Sequence, residues 1–296
     1  MILITQASEK TLTSVCYISM DCMKKHNIFD LISKNSPDLA WSGDRCIFLT
    51  VHGSRAYGTN TPESDTDIKG IVIPPSKYYF STLHKIEQIE LKAPNPDACL
   101  YEIRKFFNLA LSNNPSIIEV LHTDPSDHLI VTELGKVILD HKDEFLSKNI
   151  RHSFAGFAHS QLHRIKQHKR WMTTSEEDNP KYQEWKANRN PKIFAMEEKF
   201  GYNTKHAYHL VRLMRMCKEA LTTGKIIVKR PDREELLSIR DGAWSYDRLL
   251  EFADTEDKII EGLYETSTAL PHAPDKEKLD KICIKLVERS LSMDIL

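Results

Sequence analysis

The stretch HGSRAYGTNTPESDTDIKG, residues 52–70, joins two short apolar runs and decides how the N-terminal part of the chain is interpreted. It follows CIFLTV (46–51) and leads into IVIPP (71–75). Side chains at positions i and i+2 of a strand point to the same side, about 6.6 Å apart along the chain. We therefore expect Asp65 and Asp67 to present both carboxylates to one face. Two such carboxylates repel each other, so the spacing predicts a site for divalent cations.

Gly53 and Ser54 supply the complementary half of this hypothesis. If residues 54–57 open a short helix, its free N–H groups and the Ser54 hydroxyl can hold an anion. Gly53 lets a phosphate approach the backbone without a Cβ in the way. A triphosphate would then lie with its tail on Gly53 and Ser54 and its α-phosphate over Asp65 and Asp67. This arrangement is typical of nucleotidyl transfer, in which pyrophosphate leaves and two Mg²⁺ ions about 4 Å apart partner the carboxylates.

The aspartate pair has two other interpretations. A calcium loop is rejected, because its fifth position would be Lys69 and its twelfth Ser76, where a bidentate glutamate is needed. A polar turn between two strands stays open for the two aspartates alone. The upstream Gly-Ser step favours the phosphate-binding interpretation over the polar turn.

The composition indicates a soluble globular protein. Of the 296 residues, 28% are charged and 41% are apolar, and the length allows one large domain or two ordinary ones. The formal net charge of −1 does not by itself indicate a nucleic-acid binder. No C-x-x-C pair occurs among the six cysteines, which argues against structural zinc and against a disulfide framework. The start MILITQASEK has no basic n-region and no run reaches about 18 apolar residues, so we expect a cytoplasmic protein without membrane segments.

The chain divides by pattern into two parts. Residues 1–125 are predicted to form an α/β domain with a small mixed sheet and an N-terminal helical extension, including a helix over 8–33. Residues 126–296 are predicted to form an all-helical domain, because apolar residues three and four apart dominate there. The polar segment 175–191 is predicted to be a loop. The predicted strands cover residues 46–51, 68–73, 86–91 and 99–103.

The motifs resemble those of a known family. A Gly-Ser step, a short helix and then D-x-D before an apolar strand are the signature of the DNA polymerase β nucleotidyltransferase superfamily. The finer resemblance is to predicted nucleotidyltransferases associated with RNA-repair and RNA-ligase systems, whose pattern GSxAYG…SDxDxxG appears here as GSRAYG…SDTDIKG. The likeness extends to segments 101–115, 200–215 and 223–242 and spans most of residues 45–275.

The resemblance implies a third acid on a neighbouring strand. Asp97 is the position carried over, and Glu102, five residues on, is the alternative. Their odd spacing places them on opposite faces of a regular strand, so only one can join the site. The implied roles are that Asp65 and Asp67 hold two Mg²⁺ ions, with Mn²⁺ as an alternative, while Asp97 completes the cluster and takes a proton from the acceptor hydroxyl.

A helix within residues 200–221 carries further candidates. Lys205, His209 and Arg212 fall at i, i+4 and i+7 and form a polar stripe that suits a triphosphate or a nucleic-acid backbone. A solvated face is the competing interpretation, and the resemblance favours ligand contact for Lys205 and Arg212. Arg55 and Tyr57 flank the phosphate loop and are also nucleotide-binding candidates.

The sequence thus predicts a metal-dependent nucleotidyltransferase that binds a nucleoside triphosphate. The resemblance implies an RNA 3′ end as the acceptor. A protein-modifying AMP transferase of the antitoxin type and a catalytically silent nucleotide- or RNA-binding module are the alternatives. The oligomeric state stays open.

Overall fold

A computed structural model of the chain describes residues 28–92, 96–173 and 180–292. The predicted helix over 8–33 lies mostly outside the described residues. Its described end belongs to a helix, α1, that covers Ile28–Asn35, and a 3₁₀ turn follows at Pro37–Ser42.

A five-stranded mixed sheet forms the N-terminal part of the structure. The strands are β1 (Cys46–His52), β2 (Asp67–Val72), β3 (Gln88–Leu91), β4 (Asp97–Glu102) and β5 (His128–Val131). Their spatial order is β3-β4-β2-β1-β5, and β2 pairs with β4 in parallel while the other pairs are antiparallel. The strand β1 is almost entirely buried because helices or other chain segments cover both faces of the sheet, which explains its continuous apolar run.

The strand β5 was not predicted from the sequence. It pairs with β1 and lies just beyond the predicted boundary at residue 125, so a segment assigned to the helical part completes the sheet. It is only four residues long, HLIV, and it directly precedes a helix. Such a short apolar segment has too little periodicity to be separated from the helical pattern that follows.

Helices account for most of the remaining described residues. Those associated with the sheet are α2 (Gly53–Tyr57), α3 (Lys77–Phe80), α4 (Ile103–Leu111), α5 (Pro115–Leu121) and α6 (Glu133–Asp140). The C-terminal helices are α7 (Ile150–Thr173), α8 (Pro180–Ala187), α9 (Pro191–Phe200), α10 (Thr204–Thr223), α11 (Arg233–Arg240), α12 (Tyr246–Thr266) and α13 (Lys276–Ser292). None of the helices in the described ranges is long and apolar enough to cross a lipid bilayer.

The predicted loop over 175–191 is wrong for its second half, where α8 lies. The helix α8 begins at Pro180, a residue favoured in the first helical turn. Its Trp185 packs edge-on against Trp171 of α7, with 5.2 Å between ring centroids, and lies 5.7 Å from the ring of Tyr182. The contact with Trp171, which depends on a neighbouring helix, stabilises a segment whose own sequence is polar.

The core is continuous between the two parts of the chain. One cluster of buried side chains runs from Ile47 on β1 to Leu286 on α13, whereas a smaller cluster covers the other face of the sheet and includes Ile28 of α1. The helical part therefore packs directly on the sheet, and α10 lies next to the segment between β1 and β2. The cysteines within the described ranges, Cys46, Cys99, Cys217 and Cys283, are free thiols.

Candidate functional site

The backbone of Gly53 lies directly against the carboxylate of Asp67. Strand β1 ends at His52, and Gly53 begins α2 with a φ of 67°, a conformation that side chains with a Cβ rarely adopt. A Cβ at this position would overlap the Asp67 carboxylate. Glycine is therefore required here both by the turn and by the close approach of the acid. The sequence motif predicted the close approach of a phosphate, and not that of Asp67.

Two of the predicted acids begin neighbouring parallel strands in register. Asp67 is the first residue of β2, Asp97 is the first residue of β4, and the two face each other across the ladder. Adjacent strands lie about 4.8 Å apart, and paired residues of a parallel ladder point to the same face. Asp65 lies two residues before β2 rather than within it, so the strand argument for its direction does not apply. Among the described residues, no hydrogen bond or ion pair reaches any of these three carboxylates.

The mutual repulsion of the acids is reflected in the titration of Asp67. Partial burial raises its pKa above the usual value, and the carboxylates of Asp97 and Asp65 raise it further. Lys69 and Lys205 oppose this rise in pKa. The Asp67 carboxylate is thus partly buried beside two other acids, and a bound cation would favour its charged form.

Glu102, the alternative third acid, is held by hydrogen bonds that stabilise the fold. It is 3% exposed, and its carboxylate accepts hydrogen bonds from the backbone N–H of Lys105, from Arg104 Nε at 2.9 Å and from the Tyr79 hydroxyl at 3.1 Å. Glu102 therefore caps α4 at the far end of β4 from Asp97. The structure brings Asp97, and not Glu102, next to Asp67.

A cavity of about 390 Å³ opens beside the acids, and we call it the acidic cavity. Seven of the predicted site residues line it: Gly53, Ser54, Tyr57, Asp65, Asp67, Lys205 and His209. Lys205 is exposed at its edge. Asp97 and Arg55 are not among the lining residues, and the Arg55 guanidinium instead donates to the carbonyl oxygen of Ser64 at 3.0 Å.

Lys69 also lines the acidic cavity and was not predicted as a site residue. It lies two residues after Asp67 on β2, and its Nζ donates a hydrogen bond to the Ser116 hydroxyl at the start of α5. Burial lowers the pKa of its ammonium group. The spacing of two residues on a strand places Lys69 on the face of Asp67. That spacing was visible in the sequence and could have identified this lysine.

A buried charge network lies behind the short helix α2 and joins the two parts of the chain. Glu119 of α5 is 2% exposed, and it accepts hydrogen bonds from the Arg212 guanidinium and, at 2.5 Å, from the Tyr57 hydroxyl. The Nε2 atom of His52 lies 3.5 Å from the same carboxylate. The Arg212 guanidinium also stacks on the Tyr57 ring, 3.9 Å from its centroid.

The network accounts for two residues that were predicted to contact a nucleotide. Burial alone would raise the pKa of Glu119, but Arg212, His52 and Tyr57 together hold it well below the usual range. Arg212 is 4% exposed and Tyr57 is 5% exposed, so both side chains are committed to Glu119. The isolated carboxylate within the apolar run SIIEVLH, residues 116–122, was the sequence signal for such a buried partner.

The helical part also holds the short helix α2 in place. The Thr59 and Tyr208 hydroxyls are 2.7 Å apart, the Arg230 N–H donates to the Tyr57 carbonyl at 3.0 Å, and Arg233 Nε donates to the Gly58 carbonyl. These contacts come from α10 and from the segment leading into α11. The position of the Gly53–Tyr57 helix therefore depends on residues more than a hundred positions further along the chain.

A second cavity, of about 450 Å³, adjoins the first, and we call it the apolar cavity. Its apolar lining comes from Pro115, Phe157, Ile193, Met196 and Leu213. The two cavities share His52, Tyr57, Lys205 and His209 in their walls. Arg212 lines the apolar cavity rather than the acidic one.

His209 lies between the two cavities in its neutral form. Burial lowers its pKa to about 3, and the nearby charges of Arg212 and Lys205 contribute to the decrease. The helix stripe of Lys205, His209 and Arg212 thus passes from the cavity edge into the core, and only its first member is an exposed cation.

The sequence matches a known family over residues 25–284, namely RlaP, the RNA repair pathway DNA polymerase beta family. The chain belongs to this family. The match includes all the residues that line the two cavities. Membership in the RlaP family confirms the resemblance that the GSRAYG and SDTDIKG motifs predicted, and it supports the predicted enzyme class, a nucleotidyltransferase.

Relatives of this RlaP chain occur in a phage and in a bacterium. A 38.9 kDa protein of Enterobacteria phage T4, from the nrdC-mobD intergenic region, is 33% identical over 129 residues, which are 40% of this chain and 38% of the phage protein. Protein YcgL of Bacillus subtilis (strain 168) is 31% identical over 83 residues, which are 28% of this chain and 32% of YcgL. The chain thus matches these relatives over only 38% and 32% of their lengths.

The chain also aligns with a solved structure. The crystal structure of a nucleotidyltransferase-like protein from Exiguobacterium sibiricum 255-15 aligns with 90% of this chain and 76% of its own, at 11% identity and a TM-score of 0.26. A similarity at this level carries no conclusion about the fold or the site.

Proposed function

We propose that the protein transfers a nucleoside monophosphate from a nucleoside triphosphate to the 3′ hydroxyl of an RNA. In this reaction the acceptor oxygen attacks the α-phosphorus, the bond from that phosphorus to the bridging oxygen of pyrophosphate breaks, and pyrophosphate leaves. The hydroxyl proton passes to a nearby base. A reaction of this kind needs anion-binding groups, acidic groups and a basic atom beside one cavity.

The observation that supports the proposal is the convergence of acids on a glycine-lined turn. Asp67 and Asp97 begin adjacent parallel strands in register, and the Gly53 backbone lies against the Asp67 carboxylate. Lys69 and Lys205 line the same cavity from two different elements. Acidic oxygens and ammonium groups therefore surround one space, as expected where a metal–triphosphate complex binds.

The acidic residues fit Mg²⁺ in their chemistry. Asp65, Asp67 and Asp97 are carboxylates, the ligand type that Mg²⁺ prefers together with water and phosphate oxygens. The three carboxylates form no ion pair with another residue of the described ranges, and burial together with the neighbouring acids raises the pKa of Asp67, which is consistent with a cation-binding role. Within the described residues, no three acidic, histidine or cysteine groups are grouped tightly enough to hold one ion by themselves. Bound Mg²⁺ would neutralise the developing charge on the phosphates.

Each side chain then has a distinct role in the proposed reaction. Gly53 and Ser54 hold the β- and γ-phosphates, and Lys205 and Lys69 neutralise phosphate oxygens from two sides of the acidic cavity. Asp97, the most exposed position on β4 near the site, accepts the proton of the incoming hydroxyl. Arg212 and Tyr57 act indirectly, because their contacts with Glu119 position α2.

The RNA acceptor is supported by the family description, which names an RNA repair pathway. The relatives of known sequence share only part of their length with this chain, so the acceptor is a proposal for the whole protein. A protein hydroxyl as acceptor is the competing outcome of the same experiment.

The test is a labelling assay with each α-labelled ribonucleoside triphosphate, Mg²⁺ and RNA oligonucleotides that end in either a 3′ hydroxyl or a 3′ phosphate. We expect label on the 3′-hydroxyl RNA only. The variants Asp65→Asn and Asp67→Asn should each reduce labelling about 100-fold or more, because each removes a ligand charge from the transition state. Asp280→Asn, at an exposed position on α13, is the matched control and should label like the wild type.

Two outcomes would contradict the proposal. Undiminished labelling by both Asp65→Asn and Asp67→Asn would remove these residues from the reaction. Labelling of a protein while 3′-hydroxyl RNA stays unlabelled would assign the activity to protein modification.

A further inference from the structure

The apolar cavity has no role in phosphate or metal binding as described so far. Its apolar lining consists of Pro115, Phe157, Ile193, Met196 and Leu213, and polar groups of α5, α7 and α10, of Asn203 and of His52 and Tyr57 complete the wall. Its volume of about 450 Å³ lies within the range of cavities that hold small organic ligands. Phe157 is 48% exposed, so one side of the apolar lining reaches the surface.

We propose that the apolar cavity binds a nucleobase, while the phosphates of the same nucleotide lie in the acidic cavity. This proposal rests on the proposed function and adds the part of the substrate that the acidic cavity does not hold. The cavities share four wall residues, so one ligand can occupy both: His52, Tyr57, Lys205 and His209.

The charge distribution favours a neutral ring over a second anion. The Arg212 guanidinium is paired with Glu119, so this pair adds no net positive charge to the wall. Lys205 and Arg164 also line the cavity, and both side chains are exposed to solvent. A phosphate in the apolar part of the cavity would lose water without pairing with the buried Arg212, whereas a flat apolar ring would gain contacts with Ile193 and Met196.

The polar groups of the cavity are suited to the edge of a base. His206 Nδ1 lies 2.6 Å from the Gln161 side-chain oxygen, so the Gln161 amide nitrogen keeps its donors. Burial and the nearby charges of His168 and Arg164 lower the pKa of His206 to about 4, so its ring is neutral at pH 7. A neutral imidazole and an amide together offer both donors and acceptors, as the hydrogen-bonding edges of nucleobases require.

The base can belong to either of two nucleotides, the triphosphate or the terminal nucleotide of the acceptor. Both present the same chemistry to the cavity, and the experiment separates them. Calorimetry in the presence of Mg²⁺ compares three probes: the four ribonucleoside triphosphates, inorganic tripolyphosphate, and the four ribonucleoside monophosphates. Tripolyphosphate has no base and therefore reports on the acidic cavity alone.

The variant Met196→Trp fills the cavity, and Phe157→Ala removes part of its wall at a half-exposed position where folding is at little risk. Ile259→Trp, at an exposed position on α12 outside both cavities, is the control. We expect the first two variants to weaken binding of a triphosphate or a monophosphate about tenfold, as loss of base stacking would. Tripolyphosphate binding should stay within about twofold of the wild type.

The pattern of losses decides the result. A loss for triphosphates assigns the cavity to the triphosphate base, and a loss for monophosphates alone assigns it to the acceptor. Nucleotide binding unchanged in both variants overturns the nucleobase proposal, as does an equal loss for tripolyphosphate in Phe157→Ala. A wild-type protein that binds neither triphosphate nor tripolyphosphate would instead refute the proposed function.

Discussion

Replacement of Glu119 by Gln should destabilise the protein strongly. The substitution keeps the shape of the side chain and an acceptor for the Tyr57 hydroxyl, but it removes the charge that pairs with Arg212. Arg212 is 4% exposed, and because a guanidinium is not deprotonated in proteins, it stays a cation in the variant and becomes an unpaired buried charge. The experiment therefore isolates the cost of that unpaired charge.

The magnitude follows from the burial of the pair. Breaking a buried ion pair from one side costs about 3–5 kcal/mol. An unfolding entropy of about 2.1 cal/mol/K per residue over 296 residues is roughly 0.6 kcal/mol/K, so the midpoint of thermal unfolding should fall by about 5–8 °C. Differential scanning calorimetry on the wild type and the variant measures this change.

A matched exposed pair provides the control. Arg289 and Glu133 form an ion pair of 2.8 Å, and their side chains are 53% and 51% exposed. Solvent screens this pair, so Glu133→Gln should cost less than about 1 kcal/mol. The reasoning is refuted if Glu119→Gln lowers the midpoint no more than Glu133→Gln does.

A double variant separates the charge from the packing. Glu119→Gln combined with Arg212→Met removes both buried charges and leaves apolar bulk in place of the guanidinium. Because a buried pair and a well-packed apolar replacement are often close in stability, the double variant should be more stable than Glu119→Gln alone. A double variant that is less stable would show that the charge is not the cause.

Three further predictions concern the site. Gly53→Ala should abolish labelling and lower the free energy of unfolding by about 1–2 kcal/mol, since the backbone of Gly53 is left-handed. Gly262→Ala, where an added Cβ meets no other atom, should not destabilise the protein, and labelling and calorimetry measure both variants. Asp97→Asn should lose labelling at an unchanged unfolding midpoint, while Glu102→Gln should lower the midpoint because it caps α4, and the reverse pattern would exchange their roles. The folded-state pKa of His209 is about 3 and lies below the unfolded value of about 6.5. The stability that neutral His209 contributes is therefore complete above about pH 6.5 and is lost as the pH falls toward about 3. At pH 5 the wild type should lose about 2 kcal/mol relative to pH 7 through this group, and His209→Gln should lack that loss in urea unfolding; equal losses would contradict it.

Local motifs predicted the strands and the turn around the candidate site. The strands around β1 and β2, the glycine turn and the aspartate pair are each specified by neighbouring residues, so a short window contains the necessary information. Asp97 could be chosen over Glu102 only by its place in the resemblance, and the structure then gives it the register of Asp67. The register between two separate strands cannot be predicted from the sequence of either strand alone.

The parts that the sequence did not predict depend on distant partners. Glu119 and Arg212 are 93 residues apart, and no periodic pattern shows which helix faces which. The stripe of Lys205, His209 and Arg212 was identified correctly as one face of a helix. Helical spacing gives the direction of a side chain but not its depth, so the burial of Arg212 required the packing of α10 against α5.

The same packing explains why the candidate site needs both the sheet and the helical part of the described chain. Strand β1 leads directly into α2, yet one of its edges is covered by β5, which lies beyond the predicted boundary. The segment of α2 and Thr59 is held by the Tyr208 hydroxyl and by the charge pair of Glu119 and Arg212. Tyr208 and Arg212 both belong to α10, so loss of α10 would remove both contacts along with Lys205. A change in the position of α10 would therefore move α2 and the cavity wall together, so the shape of the two cavities and the packing of the two parts of the chain are coupled through one helix.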